Sequence, residues 1–139
     1  MTGVLLDTNV ISELTRPNRD AYVIAFLEAL EDGYVSTITL HELTYGLERL
    51  QDGARRQALA ETIERFLSLY QDRILPVSTP EARAAAVLRA GQAERGRVLH
   101  LADALIAATA LVQGLTIATR NIGDFEGLGV VLHNPWQPV

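Results

Sequence analysis

Residues 98–119 read VLHLADALIAATALVQGLTIAT, and this stretch decides the fold class because it joins an apolar helix to an apolar strand. A helix is predicted over about 101–113 and ends at Gly114, and TIAT at 116–119 has the character of a short buried strand. The stretch is almost long enough to span a membrane. Its polar residues His100 and Asp103 and the break at Gly114 favour a buried helix followed by a strand instead.

The same alternation runs through the rest of the chain. Strands are predicted at 3–6, 34–38, 74–77, 116–119 and 130–133. Helices are predicted at 8–15, 20–31, 40–51, 54–71, 79–95 and 101–113. Short apolar strands separated by helices predict an α/β fold with a central parallel sheet covered on both faces. The length of 139 residues suits a single domain covering 1–139.

Composition excludes several kinds of site. All 12 basic side chains are Arg and there is no Lys, which rules out a P-loop and a Schiff-base enzyme. Without Cys there is no thiolate nucleophile and no Cys-bound zinc. The net charge of −5 argues against an ordinary basic nucleic-acid binder, unless the acids hold divalent cations. The beginning of the chain does not resemble a signal peptide, so a cytoplasmic protein is expected.

Asp103 is the one formally charged side chain between Arg97 and Arg120. A carboxylate in so apolar a helix loses hydration unless a cationic side chain, hydrogen-bond donors or a metal ion compensates it. No Lys or Arg lies in the predicted helix, so the alternatives are a distant Arg or a metal ion. This residue is therefore the first candidate metal ligand.

Three further acids interrupt or follow apolar elements. Asp7 ends the first apolar run, where it would also suit an ordinary helix N-cap. Glu42 lies in HELTYGLERL, where Thr39 and Glu42 have the spacing of a capping box. Asp124 lies in the loop-like TRNIGDFEG, where a solvated acid is the ordinary alternative and Asn121 offers an amide oxygen nearby.

As a set, these acids predict a divalent metal site. The carboxyl ends of parallel strands meet at one edge of a sheet, and three of the acids follow predicted strands. Oxygen ligands suit Mg²⁺ or Mn²⁺, whereas the three His residues have no zinc-ligand spacing. Such a site is typical of metal-assisted phosphodiester hydrolysis.

The motifs resemble those of PIN domains. LLDTNVISEL, HELTYGLERL, LADALIAATA and ATRNIGDF occur in the order and spacing of that family. The chain is similar to VapC-type toxins, and VISELTRP with NPW near the end make it particularly similar to their FitB-like branch. The resemblance implies a three-layer α/β/α fold and a Mg²⁺- or Mn²⁺-dependent endoribonuclease that acts as the toxin of a type II toxin–antitoxin pair.

The resemblance also assigns roles to residues. Asp7, Glu42 and Asp103 match the three core acids, and Asp124, assisted by Asn121, matches the fourth. Thr8, Asn9 and Thr119 match polar residues that orient the ligands. Asp7 and Asp103 are expected to hold the principal metal, while Glu42 and Asp124 complete its ligands or orient the attacking water.

Partners follow from the same resemblance: RNA as substrate, a small antitoxin of the VapB or FitA kind, and a second copy in a homodimer. A stripe of apolar side chains suits either antitoxin contact or core packing, with core packing preferred; its members are Leu40, Leu43, Leu47, Leu50, Phe66 and Tyr70. Candidates for gripping the RNA backbone are Arg16, Arg19, Arg49, Arg55 and Arg56.

Three other functions compete with this interpretation. A phosphatase or receiver domain needs further acids beside Asp7 and a Lys, which the chain lacks. A non-catalytic PIN-like module would bind RNA or an antitoxin without cleaving RNA. Cleavage of DNA uses the same chemistry at phosphorus, so the sequence leaves it open.

Overall fold

The computed structural model describes residues 3–138, and within them five strands form one parallel sheet in the order β3-β2-β1-β4-β5. The strands are β1 Val4–Leu6, β2 Gly33–Ser36, β3 Ile74–Leu75, β4 Thr116–Ala118 and β5 Leu132–His133. The helices are α1 Thr8–Ser12, α2 Ala21–Ala29, α3 Thr37–Glu48, α4 Ala54–Leu69, α5 Thr79–Glu94 and α6 Leu101–Gln113. Short 3-10 turns cover Glu13–Thr15, Gln71–Arg73 and Ile122–Asp124.

The central strand β1 is buried on both faces. Val4 and Leu6 point into one hydrophobic cluster, which includes Val10 of α1, and Leu5 points into the other, which includes Ile106 of α6. Alternate side chains of a strand point to opposite faces, so two cores on the two faces of one sheet require helices on both sides. The predicted three-layer α/β/α fold is confirmed.

The register of the central strands brings their carboxyl ends together. Leu6 is paired with Val35 of β2 and with Ala118 of β4. The next residue, Asp7, donates its backbone N–H to the Ala118 carbonyl at 2.9 Å. Residues that follow β1, β2 and β4 therefore lie at one edge of the sheet, which is where open α/β sheets place their sites.

The apolar stripe on α3 and α4 packs into the core. Leu43 and Tyr70 are buried in the first cluster, and Phe66 stacks on Tyr70 with ring centroids 4.7 Å apart. Leu40 and Leu47 pack against the same cluster from its margin. Core packing therefore accounts for most of the stripe.

The predicted strand at 34–38 and helix at 40–51 both extend too far toward the C-terminus, because α3 runs from Thr37 to Glu48. The predicted strand at 34–38 ends at Ser36, and α3 begins at Thr37 rather than near residue 40. Ser36 caps α3 by accepting a hydrogen bond from the Ile38 N–H at 3.0 Å. Glu42 therefore lies in the second turn, and the predicted capping box with Thr39 is absent from this helix.

Gly114 ends α6 with the left-handed φ of 70°, which glycine adopts without a steric penalty. The chain then enters β4, so the predicted helix followed by a strand is confirmed for residues 98–119. No helix within 3–138 is both long enough and apolar enough to cross a membrane.

Candidate active site

Asp7 is held by hydrogen bonds to both of its carboxylate oxygens. Oδ1 accepts from the Thr8 N–H at 2.8 Å, and Oδ2 accepts from the Thr119 hydroxyl at 2.8 Å and the Asn9 amide at 3.0 Å. Burial raises the pKa of Asp7, and these three donors oppose that rise by favouring the charged form. Asp7 is the N-cap of α1, as the alternative interpretation of an ordinary helix cap predicted. The Asn9 amide and the Thr119 hydroxyl also hold its side chain.

Glu42 is joined to Asp7 through Thr8. The Thr8 hydroxyl donates to Glu42 Oε1 at 2.6 Å, while the Thr8 backbone N–H donates to Asp7. The helical position of Glu42 makes this contact possible, because a capping-box Glu would fold back onto its own helix. One residue of α1 thus orients two of the predicted acids.

Asp103 lies in the first turn of α6, at the same edge of the sheet. Burial, together with the negative charges of Asp124, Asp7 and Glu42, raises the pKa of Asp103 to about 6, against a smaller lowering by His100. Among the described residues, no Arg or His lies within ion-pair distance of Asp103. The alternative of a distant Arg is therefore wrong.

Asn121 and Asp124 occupy different positions around this edge. Asn121 lines the same cavity as Asp7, and its backbone N–H donates to the Thr119 hydroxyl at 3.0 Å. Asp124 ends the 3-10 turn, is exposed, and lines a neighbouring cavity that it shares with Asp103. Its charge acts on Asp103 from that side.

The central cavity has a volume of about 580 Å³. Its acids are Asp7, Glu13, Glu42 and Asp103. Its other lining residues are Thr8, Asn9, Ser12, Thr15, Arg16, Arg120, Asn121 and Trp136. Of the arginines predicted to contact RNA, Arg16 lines this cavity, while Arg56 pairs with Glu48 and Arg49 lies over the Tyr45 ring.

Sequence reasoning missed five residues of this lining, which are Ser12, Glu13, Thr15, Arg120 and Trp136. Glu13 is 4 % exposed and accepts from the Asp20 backbone N–H at 2.8 Å. Arg120 lies over the ring of Trp136, 5.2 Å from its centroid. Arg120 falls inside the motif ATRNIGDF, Trp136 inside NPW and Glu13 inside LLDTNVISEL, so membership of a motif was the available signal for all three.

The donor set fits a hard divalent cation. Across residues 3–138, no three Asp, Glu or His side chains stand close enough together to hold one ion as they are placed. Carboxylates without a cation between them repel one another. The carboxylate oxygens are the ligands that Mg²⁺ or Mn²⁺ prefers. A bound cation would also supply the positive charge that Asp103, with its raised pKa, lacks.

Comparison with known proteins places the chain in a family. The family model described as PIN domain matches residues 4–128 of the sequence. The chain belongs to the PIN-domain family. It is 43 % identical over 137 residues to toxin FitB of Neisseria gonorrhoeae, which covers 96 % of this chain and 99 % of that protein. It is 39 % identical over 138 residues to the VapC ribonuclease Y4jK of Sinorhizobium fredii, covering 97 % of this chain and 99 % of that one.

Solved structures agree with this assignment. FitAcB from Neisseria gonorrhoeae contains a chain with a TM-score of 0.90 and 41 % identity, covering 97 % of this PIN domain and 99 % of that chain. FitAB bound to an IR36 DNA fragment gives a TM-score of 0.90 at 40 % identity, covering 98 % and 97 %. The fold of this chain is therefore the one found in the FitAB complexes.

Proposed function

We propose that this PIN domain is a divalent-metal-dependent endoribonuclease and the toxin of a type II toxin–antitoxin pair in the bacterial cytoplasm. The observation that carries the proposal is the arrangement of Asp7, Glu42, Asp103 and Asp124 around one sheet edge. Asp103 has a raised pKa there and no cationic partner. Relatives named toxin FitB and VapC ribonuclease support this function over a non-catalytic module.

Asp7 and Asp103 would hold the principal Mg²⁺ or Mn²⁺, and Glu42 and Asp124, with Asn121, would complete its ligands or orient water. When bound, the ion would lower the pKa of a water molecule and neutralise charge that develops on the phosphate. The hydrogen bonds from Thr8, Asn9 and Thr119 keep the oxygens of Asp7 and Glu42 in place before substrate arrives.

The reaction is hydrolysis of a phosphodiester. The oxygen of water forms a bond to phosphorus while the bond from phosphorus to the 3′ oxygen breaks. A proton from the water ends on that leaving oxygen, so the products carry a 5′-phosphate and a 3′-hydroxyl. Glu42 or Asp124 would align the water opposite the leaving oxygen, as in-line displacement requires.

The proposed partner is a small antitoxin, which binds the toxin and keeps it inactive. The solved relatives include FitAB and VapBC complexes bound to DNA fragments. The open acidic cavity suits an antitoxin Arg, because a guanidinium would supply the positive charge that the ion otherwise provides. A homodimer of the toxin is part of the same proposal.

The experiment is cleavage of a defined single-stranded RNA by purified protein with Mg²⁺ or Mn²⁺. We expect cleavage that EDTA abolishes and that added metal restores, with 5′-phosphate ends on the products. A DNA of the same sequence serves as the substrate control and is expected to survive. Cleavage that EDTA leaves unchanged, or binding of RNA without any cleavage, would contradict the proposal.

A further inference from the structure

One cation at the rim of the acidic cavity lacks an ionic partner. Arg120 is exposed, lines the cavity with Asp7 and Asp103, and makes no ion pair with any carboxylate of the described chain. Arg16 also lines the cavity, but it lies 3.9 Å from a Glu13 oxygen. The charge of Arg120 is therefore the less neutralised of the two.

The guanidinium of Arg120 is held by an aromatic ring rather than by an acid. It lies over Trp136, 5.2 Å from the ring centroid. Stacking uses the flat face of the guanidinium and leaves the N–H groups at its edge available as donors. A planar set of N–H donors matches two oxygens of one phosphate.

The backbone of Arg120 is tied to the acids. Its N–H donates to Asn9 Oδ1 at 3.1 Å, and Asn9 donates through its amide to Asp7. The preceding residue, Thr119, donates to Asp7 directly. The backbone of Arg120 is therefore held beside the Asp7 carboxylate, which would face the scissile phosphate.

Trp136 is itself fixed in place. Its ring packs against the first core cluster, and its backbone N–H donates to Asn134 Oδ1 at 2.9 Å. Nothing in the acidic floor of the cavity attracts a polyanion without added cations, so a cation held at the rim has a role there.

We infer that Arg120, positioned by stacking on Trp136, binds a phosphate of the RNA strand next to the one that is cleaved. This inference rests on the proposed ribonuclease function and names a substrate contact for it. Arg120 is the contact residue, and Trp136 is the positioning residue that presents it.

The test measures binding rather than cleavage. A fluorescently labelled single-stranded RNA is titrated by anisotropy with full-length protein carrying Asp103→Asn, which prevents turnover, and with the same protein carrying Arg120→Gln. Arg83→Gln, which removes an exposed Arg from α5, is the matched control for net charge. Arg120→Gln is expected to weaken binding several-fold and to reduce the slope of log K against log salt by about 0.7, the value for one phosphate contact on a single strand.

The positioning role has its own readout. Trp136→Phe keeps an aromatic face and is expected to retain most of the affinity, whereas Trp136→Leu is expected to weaken binding as Arg120→Gln does. Trp136 is the one tryptophan of the chain, so RNA bound at Arg120 is expected to change the intrinsic emission with the same titration curve as the anisotropy.

Several results would overturn the inference. If Arg120→Gln left the RNA affinity and the salt slope unchanged, Arg120 would not contact a phosphate. If the substitution lowered only the melting temperature, the stacking of Arg120 on Trp136 would have a structural role alone. Trp136 emission that stays unchanged at saturating RNA would also contradict the inference. So would a lack of RNA binding by Asp103→Asn protein both with and without Arg120→Gln. Metal-dependent cleavage by the unmodified protein is decided separately, so the two proposals fail independently.

Discussion

At the scale of single residues, the Thr119 hydroxyl stabilises the charge of Asp7. Thr119 is fully buried and donates to Asp7 Oδ2 at 2.8 Å. We expect Thr119→Val to lower the free energy of unfolding by about 1–3 kcal/mol, because a buried carboxylate loses a donor and the Asn121 N–H loses its acceptor. The pKa of Asp7 should rise further, since this bond is the strongest of those that lower it.

Urea unfolding of the two proteins measures this cost. Thr109→Val is the matched control, because Thr109 is equally buried but donates to a helix carbonyl, that of Leu105. Its cost should stay below about 1 kcal/mol, since no charge loses a partner. Equal costs for the two substitutions would show that Thr119 has no special effect on Asp7.

Asp103 makes stability depend on pH. Its pKa is about 6 in the folded protein against an ordinary value of 3.8, so the fold favours the protonated form. The stability that this proton contributes is present below about pH 4 and is lost as the pH rises through about 6. A two-unit difference corresponds to about 3 kcal/mol, and screening of this partly exposed carboxylate reduces it to about 1–2 kcal/mol.

Asp103→Asn removes that dependence. In metal-free protein with EDTA, the variant should gain about 1–2 kcal/mol relative to the unmodified chain between about pH 4 and pH 7. Comparing the two proteins at each pH cancels the contributions of other acids. A difference that stays constant across this range would mean that Asp103 is not destabilised by its neighbours.

At the scale of elements, the cap of α3 sets the position of Glu42. Ser36 is fully buried and accepts from the Ile38 N–H at 3.0 Å. Ser36→Ala should lower the free energy of unfolding by about 1 kcal/mol, the usual cost of losing such a cap.

Thermal or urea unfolding checks this cap. Thr44→Ala, at an exposed position within α3, is the control and should change stability by less than about 0.5 kcal/mol. If Ser36→Ala cost no more than this control, α3 would not depend on the cap.

The sequence predicted the kinds and order of the elements better than their ends. Apolar residues recur both in the predicted strand at 34–38 and from Leu40 onward, so periodicity alone does not show where the strand ends and the helix begins. Thr39 and Glu42 have the spacing of a cap three residues too late. The cap is Ser36, the last residue of β2, which is paired with Leu75 of β3. The pairing of β2 with β3, which includes Ser36, distinguishes the end of the strand from the start of the helix.

At the scale of the whole molecule, parallel topology made the site predictable. Because the strands are parallel, Asp7, Glu42 and the residues after β4 lie at one edge of the sheet. Helix α6 begins at the same edge, since it runs antiparallel to the strands and leads back to the start of β4. The hydrogen bonds behind the acids were not predictable in detail. Asn9 and Thr119 are 110 residues apart, and a pattern in a single sequence does not show that their side chains meet.

The gathered acids should make the folded protein bind divalent cations. Ligand that binds the native state alone raises stability by about 2.7 kcal/mol at one hundred times its Kd. We therefore expect Mn²⁺ to raise the melting temperature and EDTA to reverse the change. Asp103→Asn should lose most of the shift, and a shift of equal size in that variant would place the binding elsewhere.

The central claim is that Asp103 acts in metal-dependent cleavage of RNA. The most direct measurement compares the cleavage rate of one single-stranded RNA by the unmodified protein, by Asp103→Asn and by Asp52→Asn, an exposed acid between α3 and α4. We predict that Asp103→Asn lowers the rate by at least about 100-fold while the fold is retained, and that Asp52→Asn leaves it unchanged. Full activity of Asp103→Asn would contradict the account.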